Sequence, residues 1–479
     1  MALAAAVALV LSCGPKAEEA AAQTRPNLVF IMTDDQPKGL KGAMPNVMNR
    51  IAGEGMSFPN AYVTESLCCP SRASMLRGEY PHNTGVEANG GPNGGVETFR
   101  ALGEDQNTVA TQLRASDYTT ALLGKYINGY DASYTPPGWD YFYGRADPSL
   151  PGQKARENDH VIDYTGQPGN WGDRIQNHAL DFMNQQAWPG KPPFALFIWT
   201  GQPHLTSADY ADRYAGLYQN AQLPDKPSYD ENVSDKPQWI QNLPPLSSSD
   251  MQQLTEWHQN QLRSVTQIDD MVGNVLNSLN ANGEMSNTYT VFTTDNGTGM
   301  GEHRWWYFHG AKSTPYEEAA NVPMFVRGPG IPHGDTSNEV VLNQDLAPTF
   351  ETIAGLTPPS YTDGRNILPA WQGESLLRAA FLNERPVQDA SPMPPYQAAL
   401  SRSKTYVEWQ TGEKEYYDRA TDPYEDHNAY NPAVPSRLAV RLAALSGCAG
   451  LSCQVAEDVP PGLARGNDGR NGERNEAEV

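Results

Sequence analysis

The sequence predicts an α/β protein: a large, mainly parallel sheet flanked by helices, followed by a smaller antiparallel sheet with one helix. Three observations carry this. Short apolar runs end abruptly in polar residues, as parallel strands buried on both faces do. Segments of helical character alternate with those runs, which is the pattern of an α/β sheet. After about Gly373 the texture changes to short strand-like segments separated by turns.

The first run, Asn27-Leu28-Val29-Phe30-Ile31-Met32, ends in Thr33-Asp34-Asp35-Gln36. A second, over 194–199, ends at Gly201-Gln202-Pro203-His204, and a third, over 289–292, ends at Asp295-Asn296-Gly297. Residues 323–326 form a fourth. Helices are expected over 44–52, 108–115 and 250–279. Ligands of open α/β sheets sit beyond the carboxyl ends of the strands, so the polar residues at these ends are the first hint of a site. Farther on, 379–382, 397–400, 405–409 and 415–417 read as strands and 436–444 as a helix. The expected organisation is a signal segment and tether over 1–23, a main domain over 24–373, a small C-terminal domain over 374–464 and a disordered tail over 465–479, where Gly, Asn and Glu dominate.

A chain of 479 residues can bury one large core and a smaller appended one. The net charge of −22 excludes nucleic acid as a partner, since no basic surplus is available to neutralise phosphates. If the substrate is anionic, positive charge must be concentrated locally against the global field. Residues 1–12 are almost wholly apolar and small, too short to span a bilayer as a mature helix, and read as an export signal. Val10-Leu11-Ser12-Cys13-Gly14 resembles a bacterial lipobox, with Cys13 as the lipidated residue of a cell-envelope lipoprotein; plain secretion with cleavage near Ala20 to Ala22 is the alternative. Cys448 and Cys453 flank a tight loop and read either as a small disulfide of an exported protein or as two thiols.

The segment with the most chemistry is Cys68-Cys69-Pro70-Ser71-Arg72-Ala73-Ser74-Met75-Leu76-Arg77-Gly78. Pro70 can open a helix, because its fixed φ suits a first turn and its missing N–H is not needed there. Residues just before it would face exposed N–H groups and the positive end of the helix dipole, a ready anion site, and Arg72 adds a full charge. A reactive group at Cys68 is thereby aimed at an anion. Asp34, Asp35, Asp295 and Asn296 offer hard oxygens of the kind that suit calcium or magnesium, and the lack of a His/Cys cluster argues against zinc.

The spacing Cys-x-Pro-Ser-Arg followed by x-x-x-Leu-x-Gly resembles the signature of the formylglycine-dependent sulfatases of the alkaline-phosphatase-like superfamily. The resemblance implies that an oxidising maturation enzyme converts Cys68 to formylglycine, with Cys69 at the variable position and Arg77 where the family usually has Thr. It implies one calcium, rather than magnesium, held by Asp34, Asp35, Asp295, Asn296 and the formylglycine oxygen at position 68. Gly124-Lys125-Tyr126-Ile127-Asn128, Gln202-Pro203-His204 and Lys312 before Ser313-Thr314-Pro315 match further family segments, so the implied catalytic set is Cys68, Arg72, Lys125, Asn128, His204 and Lys312. Asn128 stands where many members have His. His82, His303 and His309 lie near matching segments without an implied role, although His303 is a candidate pocket residue. Asn296-Gly297-Thr298 fits a glycosylation sequon, which a metal ligand could not serve.

Tyr80-Pro81-His82-Asn83, Pro137-Gly138-Trp139 and the C-terminal Glu415-Tyr416-Tyr417-Asp418 and Thr421-Asp422-Pro423-Tyr424-Glu425 extend the resemblance over most of the chain. Within the family the sequence looks most like N-acetylglucosamine-6-sulfatases. The implied activity is hydrolysis of sulfate esters of carbohydrates of the 6-O-sulfated glucosamine type. The competing readings are a phosphodiesterase or phosphonate monoester hydrolase on the same scaffold, and a catalytically dead glycan-binding protein, for which Trp305 and Trp306 could supply stacking faces.

Overall fold

The computed structural model describes residues 25–458, apart from 205–208, 230, 307–311, 389–390 and 434–435. The export segment with Cys13, the 465–479 tail and His309 lie outside the described residues. In chain order the strands are β1 (Asn27–Thr33), β2 (Met56–Ser57), β3 (Ala61–Tyr62), β4 (Thr119–Lys125), β5 (Tyr141–Arg145), β6 (Lys154–Glu157), β7 (His160–Asp163), β8 (Phe194–Trp199), β9 (Thr288–Thr294), β10 (Asn321–Val322), β11 (Phe325–Arg327), β12 (Asp335–Thr336), β13 (Val341–Leu342), β14 (Phe381–Arg385), β15 (Tyr396–Leu400), β16 (Lys404–Trp409) and β17 (Lys414–Asp418).

Ten of these strands build one sheet in the order β12-β2-β11-β9-β1-β8-β4-β5-β6-β7. Its centre, β9-β1-β8-β4-β5, is parallel throughout. The flanks are mixed: β6 and β7 continue from β5 as an antiparallel meander, and β11 pairs antiparallel with both β9 and β2. Antiparallel neighbours need only short connections, whereas each central parallel step requires a crossover. The Trp171–Gln186 helix precedes β8 and the long Ser248–Ala281 helix precedes β9.

The apolar runs are continuous because both faces of the central sheet are covered. Leu28, Phe30 and Met32 of β1 join Phe197 and Trp199 in the core on one face. Val29 and Ile31 join Leu196 and Ile198 in the core on the other. The Ser248–Ala281 helix packs on the second face through Val265, Ile268, Val272, Val275 and Leu279, a 3–4 residue spacing that lines one side of a helix. Its start is fixed by a capping box between Ser247 and Asp250, which satisfies otherwise orphaned N–H groups.

The C-terminal strands β14-β15-β16-β17 form a consecutive antiparallel sheet, against which the Arg437–Leu445 helix packs. Cys448 and Cys453 are joined as a disulfide. Several polar ties fasten this unit to the main sheet. The Glu384 N–H donates to the Thr64 carbonyl at 2.9 Å, and the His82 ring contacts Glu384 at 2.6 Å and the Cys448 carbonyl at 3.0 Å. Arg378 is clamped between Asp345 and Glu457 with no solvent exposure. No helix among the described residues is long and apolar enough to cross a membrane.

Candidate active site

The carboxyl ends of β1, β4, β8 and β9 deliver Asp34 and Asp35, Lys125, His204, and Asp295 and Asn296 to one place, and the Cys68–Arg77 helix points its N-terminus at them. The sequence predicts a helix that opens at Pro70. Instead it starts at Cys68, with Leu67 as the extended N-cap residue and Pro70 third in the first turn. Pro is tolerated there because the first N–H groups of a helix have no intrahelical partner. Cys68 is therefore inside the first turn, at the positive end of the helix dipole. The next N–H, that of Cys69, donates to Asn89 Oδ1 at 2.9 Å.

Cys68 Sγ lies 3.6 Å from Asp34 Oδ1, 3.9 Å from Asp35 Oδ1 and 2.8 Å from Lys312 Nζ. Lys125 Nζ is 2.5 Å from Asp34 Oδ2, and Lys312 Nζ is 2.6 Å from Asp35 Oδ1. Asn296 Nδ2 donates to Asp35 Oδ1 at 2.7 Å, and the Asp35 N–H donates to Asp295 Oδ1 at 3.1 Å. His204 Nε2 is 3.3 Å from Asp35 Oδ2. Asp35 adopts φ 58°, a left-handed conformation that Asp tolerates better than most residues but still at some cost. Lys312 is held by its own backbone: its carbonyl accepts from Trp305 Nε1 at 3.0 Å, and the next N–H, of Ser313, donates to the Ser66 carbonyl at 2.8 Å.

Arg72 is fully buried and committed to the protein. Its Nε meets Asp295 Oδ2 at 2.8 Å, Nη1 donates to the carbonyls of Lys125 and Tyr126, and Nη2 lies near the Thr200 carbonyl and Asp34. The guanidinium thus ties four strand ends and the helix together rather than facing open space. The Asn128 side chain makes no hydrogen bond to the cluster among the described residues, its Oδ1 being buried without a partner there; its carbonyl accepts from the Val96 N–H at 2.8 Å. His303 is buried elsewhere, with Nδ1 at 2.7 Å from Glu231 Oε1. Trp305 is buried in an edge-to-face pair with Trp239, and Trp306 packs on Trp257. Asn296 has no solvent exposure, so the sequon there offers no room for a glycan.

Electrostatically, three carboxylates (Asp34, Asp35, Asp295) face three cations (Arg72, Lys125, Lys312). Burial opposes the charged form of Asp34, but Lys125 and Arg72 outweigh it and hold its pKa far below the usual carboxylate range. Asp295 goes the other way: burial and the Asp34 charge push it up. Burial also raises the Cys68 thiol to about 12 against the pull of Lys125 and Lys312. Both lysines stay protonated, since Asp34 and Asp35 more than offset the burial that would lower Lys125 and Lys312. Burial lowers His204 despite the facing Asp35 carboxylate.

Asp34, Asp35, Cys68 and His204 offer potential ligand atoms within 4.8 Å of one another. Asp35 Oδ2 and Asn296 Oδ1 are buried without a hydrogen bond among the described residues, a state that is costly unless another partner is present. The oxygens of Asp34, Asp35 and Asn296 suit a hard divalent cation; the Cys68 thiol and His204 imidazole beside them are softer donors, so the expected lack of a His/Cys cluster does not hold in the structure. With the six side-chain charges balanced, such an ion would supply the local positive charge that an anionic substrate needs.

The sulfatase family model matches residues 26–356, and a model described as N-sulphoglucosamine sulphohydrolase, C-terminal, matches residues 301–445. The extracellular sulfatase SULF-1 homolog of Drosophila melanogaster is 34% identical over 73% of this chain, which spans 31% of that longer protein. The N-acetylglucosamine-6-sulfatase of Capra hircus is 30% identical over 91% of this chain and 86% of its own length. A structure solved in complex with its substrate, D-glucosamine-2-N,6-O-disulfate, superposes with a TM-score of 0.74 at 23% identity, covering 88% of this chain and 96% of that one. At that identity the superposition speaks to the fold.

Proposed function

The chain belongs to the sulfatase family, and on that premise we propose that it hydrolyses sulfate esters of carbohydrates, the 6-O-sulfate of a glucosamine-type sugar in particular. The observation that carries the reading is the seating of Cys68 in the first turn of a helix, in contact with Asp34, Asp35 and Lys312. The goat relative, an N-acetylglucosamine-6-sulfatase matched over most of both chains, supports the choice of sugar. Export, as a secreted or lipid-anchored protein, is part of the same reading and is supported by extracellular sulfatases among the relatives.

Cys68, oxidised to formylglycine by a maturation enzyme, would supply the nucleophilic oxygen, and a calcium ion held by Asp34, Asp35, Asp295 and Asn296 would supply Lewis-acid charge. The remaining work falls to this chain's own side chains. Lys125 and Lys312 are charged and prearranged within the cluster, so they would stabilise sulfate charge without reorganising. Lys312 or His204 would pass a proton to the departing alcohol oxygen. Arg72 acts as a positioning residue: it fixes Asp34 and Asp295 relative to the helix and to the Lys125 backbone.

The test is the mass of the peptide containing Cys68 from the native host, combined with turnover on a panel of sulfated monosaccharides. Formylglycine at position 68 with release of sulfate from a 6-O-sulfated glucosamine is the expected outcome, and Cys68→Ala should abolish it. An unmodified thiol in every preparation would favour a non-catalytic glycan binder. Faster cleavage of an aryl phosphate diester than of the matched aryl sulfate would favour phosphorus chemistry.

A further inference from the structure

Next to the catalytic cluster lies a cleft of about 590 Å³, lined among others by Arg145, Gln153, Asn170, Trp171, Asp209 and Tyr210. That volume is in the range of small-molecule sites, and convergent polar groups are what such sites use to orient a ligand. Its position follows from the sheet. Arg145 ends β5 and is the register partner of Lys125 at the end of β4. Paired residues on neighbouring strands share a face and sit about 4.8 Å apart, so Arg145 lies one strand outward from a lysine that touches Asp34. Its guanidinium also rests against Gly201, where an added Cβ would meet Arg145 Nη1 at 3.0 Å. Gly201 begins the segment that leads to His204.

The Arg145 side chain is mostly buried, 12% exposed, and incompletely matched. Its facing carboxylate, Asp209 Oδ2, is 3.4 Å away, longer than the 2.7–2.9 Å of a good charge-assisted bond. Asp209 is itself held by Asn170, and one face of the guanidinium lies 4.8 Å from the Trp171 ring centroid. No hydrogen bond from the rest of the guanidinium occurs among the described residues. Arginine has five donors in a planar fork, so an edge suited to a planar or tetrahedral anion remains. A desolvated cation with so little compensation is costly to keep without a ligand. We propose that this cleft is a subsite for the sugar adjacent to the sulfated one, and that Arg145 receives an anionic group on that neighbour, a carboxylate or a second sulfate. The proposal rests on the sulfatase reading of the adjoining centre and adds the substrate's length and charge to it.

The experiment compares disaccharides sharing one 6-O-sulfated glucosamine and differing in the neighbour: a uronate, an O-sulfated sugar or a neutral sugar. With the mature enzyme, kcat/KM should favour at least one acidic neighbour over the neutral one by about tenfold, and Arg145→Gln should erase that ratio chiefly through KM. The uronate and sulfate arms decide which anion is read. Ala211→Trp, at the rim with Arg145 intact, should lower kcat/KM for every disaccharide relative to the monosaccharide. Calorimetric binding of the desulfated uronate disaccharide to the wild type and to Arg145→Gln provides the same comparison without turnover. Equal kcat/KM for charged and neutral neighbours in the wild type, or ratios untouched by both substitutions, would overturn the subsite. Absence of turnover on every sulfate ester would instead overturn the activity, with calorimetry still deciding the cleft.

Discussion

At the scale of single residues, the proposed function divides the cluster into groups that face a substrate and groups that hold them in place. Lys125 is of the first kind: it is charged and partly reachable, and among the described residues its ammonium pairs with Asp34. Lys125→Ala should lower kcat by ~10²–10³, the scale of losing one preorganised donor, and steady-state kinetics at wild-type kcat would remove that role. The oxygens of Asp35 and Asn296 that lack hydrogen bonds make a second expectation. Calcium added at ~100 times its Kd should stabilise the fold by about 2.7 kcal/mol, seen as a rise in Tm, and Asn296→Ala should shrink that rise. An identical calcium response in the variant would contradict the assignment. Most of this cluster was legible in the sequence because its members sit immediately after apolar runs and within motif spacing. Arg145 and Asn89 were not, since nothing local marks them: one is the last residue of a strand, and the other reaches Cys69 from 20 positions away.

At the scale of elements, two short segments set the geometry. Gly124 in β4 has φ 112°, and a Cβ there would come within 2.1 Å of the Trp199 carbonyl oxygen of β8. Both the backbone conformation and the close approach require glycine. Gly124→Ala should therefore cost about 3–5 kcal/mol, in the range of large single-site effects, and also misplace Lys125; chemical denaturation measures the first, and an undiminished stability would refute it. The central strands β1, β8 and β9 and the long helix were legible, because burial on both faces or on one stripe dictates composition; β4 and β5 of the same parallel centre were not, since Thr119-Thr120 with Gly124 and Gly144 interrupt their apolar runs. The start of the Cys68–Arg77 helix was not, since Pro fits any of the first-turn positions and only packing selects among them. The antiparallel flank was also hidden: β2 and β12 are two residues long, too short for alternation to register, and the run over 323–326 gave no sign that β11 pairs antiparallel.

At the scale of the whole molecule, the small sheet is clamped to the large one through charged contacts that report on pH. Burial alone would lower the His82 pKa, but the Glu384 carboxylate and the Cys448 carbonyl raise it from 6.5 to about 9. Because the folded state holds this proton more tightly, its contribution of about 3 kcal/mol is fully present below pH 6.5. It is lost as pH rises toward about 9. Unfolding free energies across that window should fall in the wild type and flatten in His82→Gln; parallel curves would show that the junction carries no such linkage. This clamp was not readable beforehand, because Pro81-His82-Asn83 and Glu384 are some 300 positions apart and neither segment looks unusual alone.

Position 68 has no exposed surface and lies inside a finished helix roofed by charged partners. A second protein acting on that sulfur would find nothing to grasp once the sheet has closed over it. On the proposed function, a maturation enzyme would therefore have to meet Cys68 while this segment is still an extended chain, before the sheet closes over it.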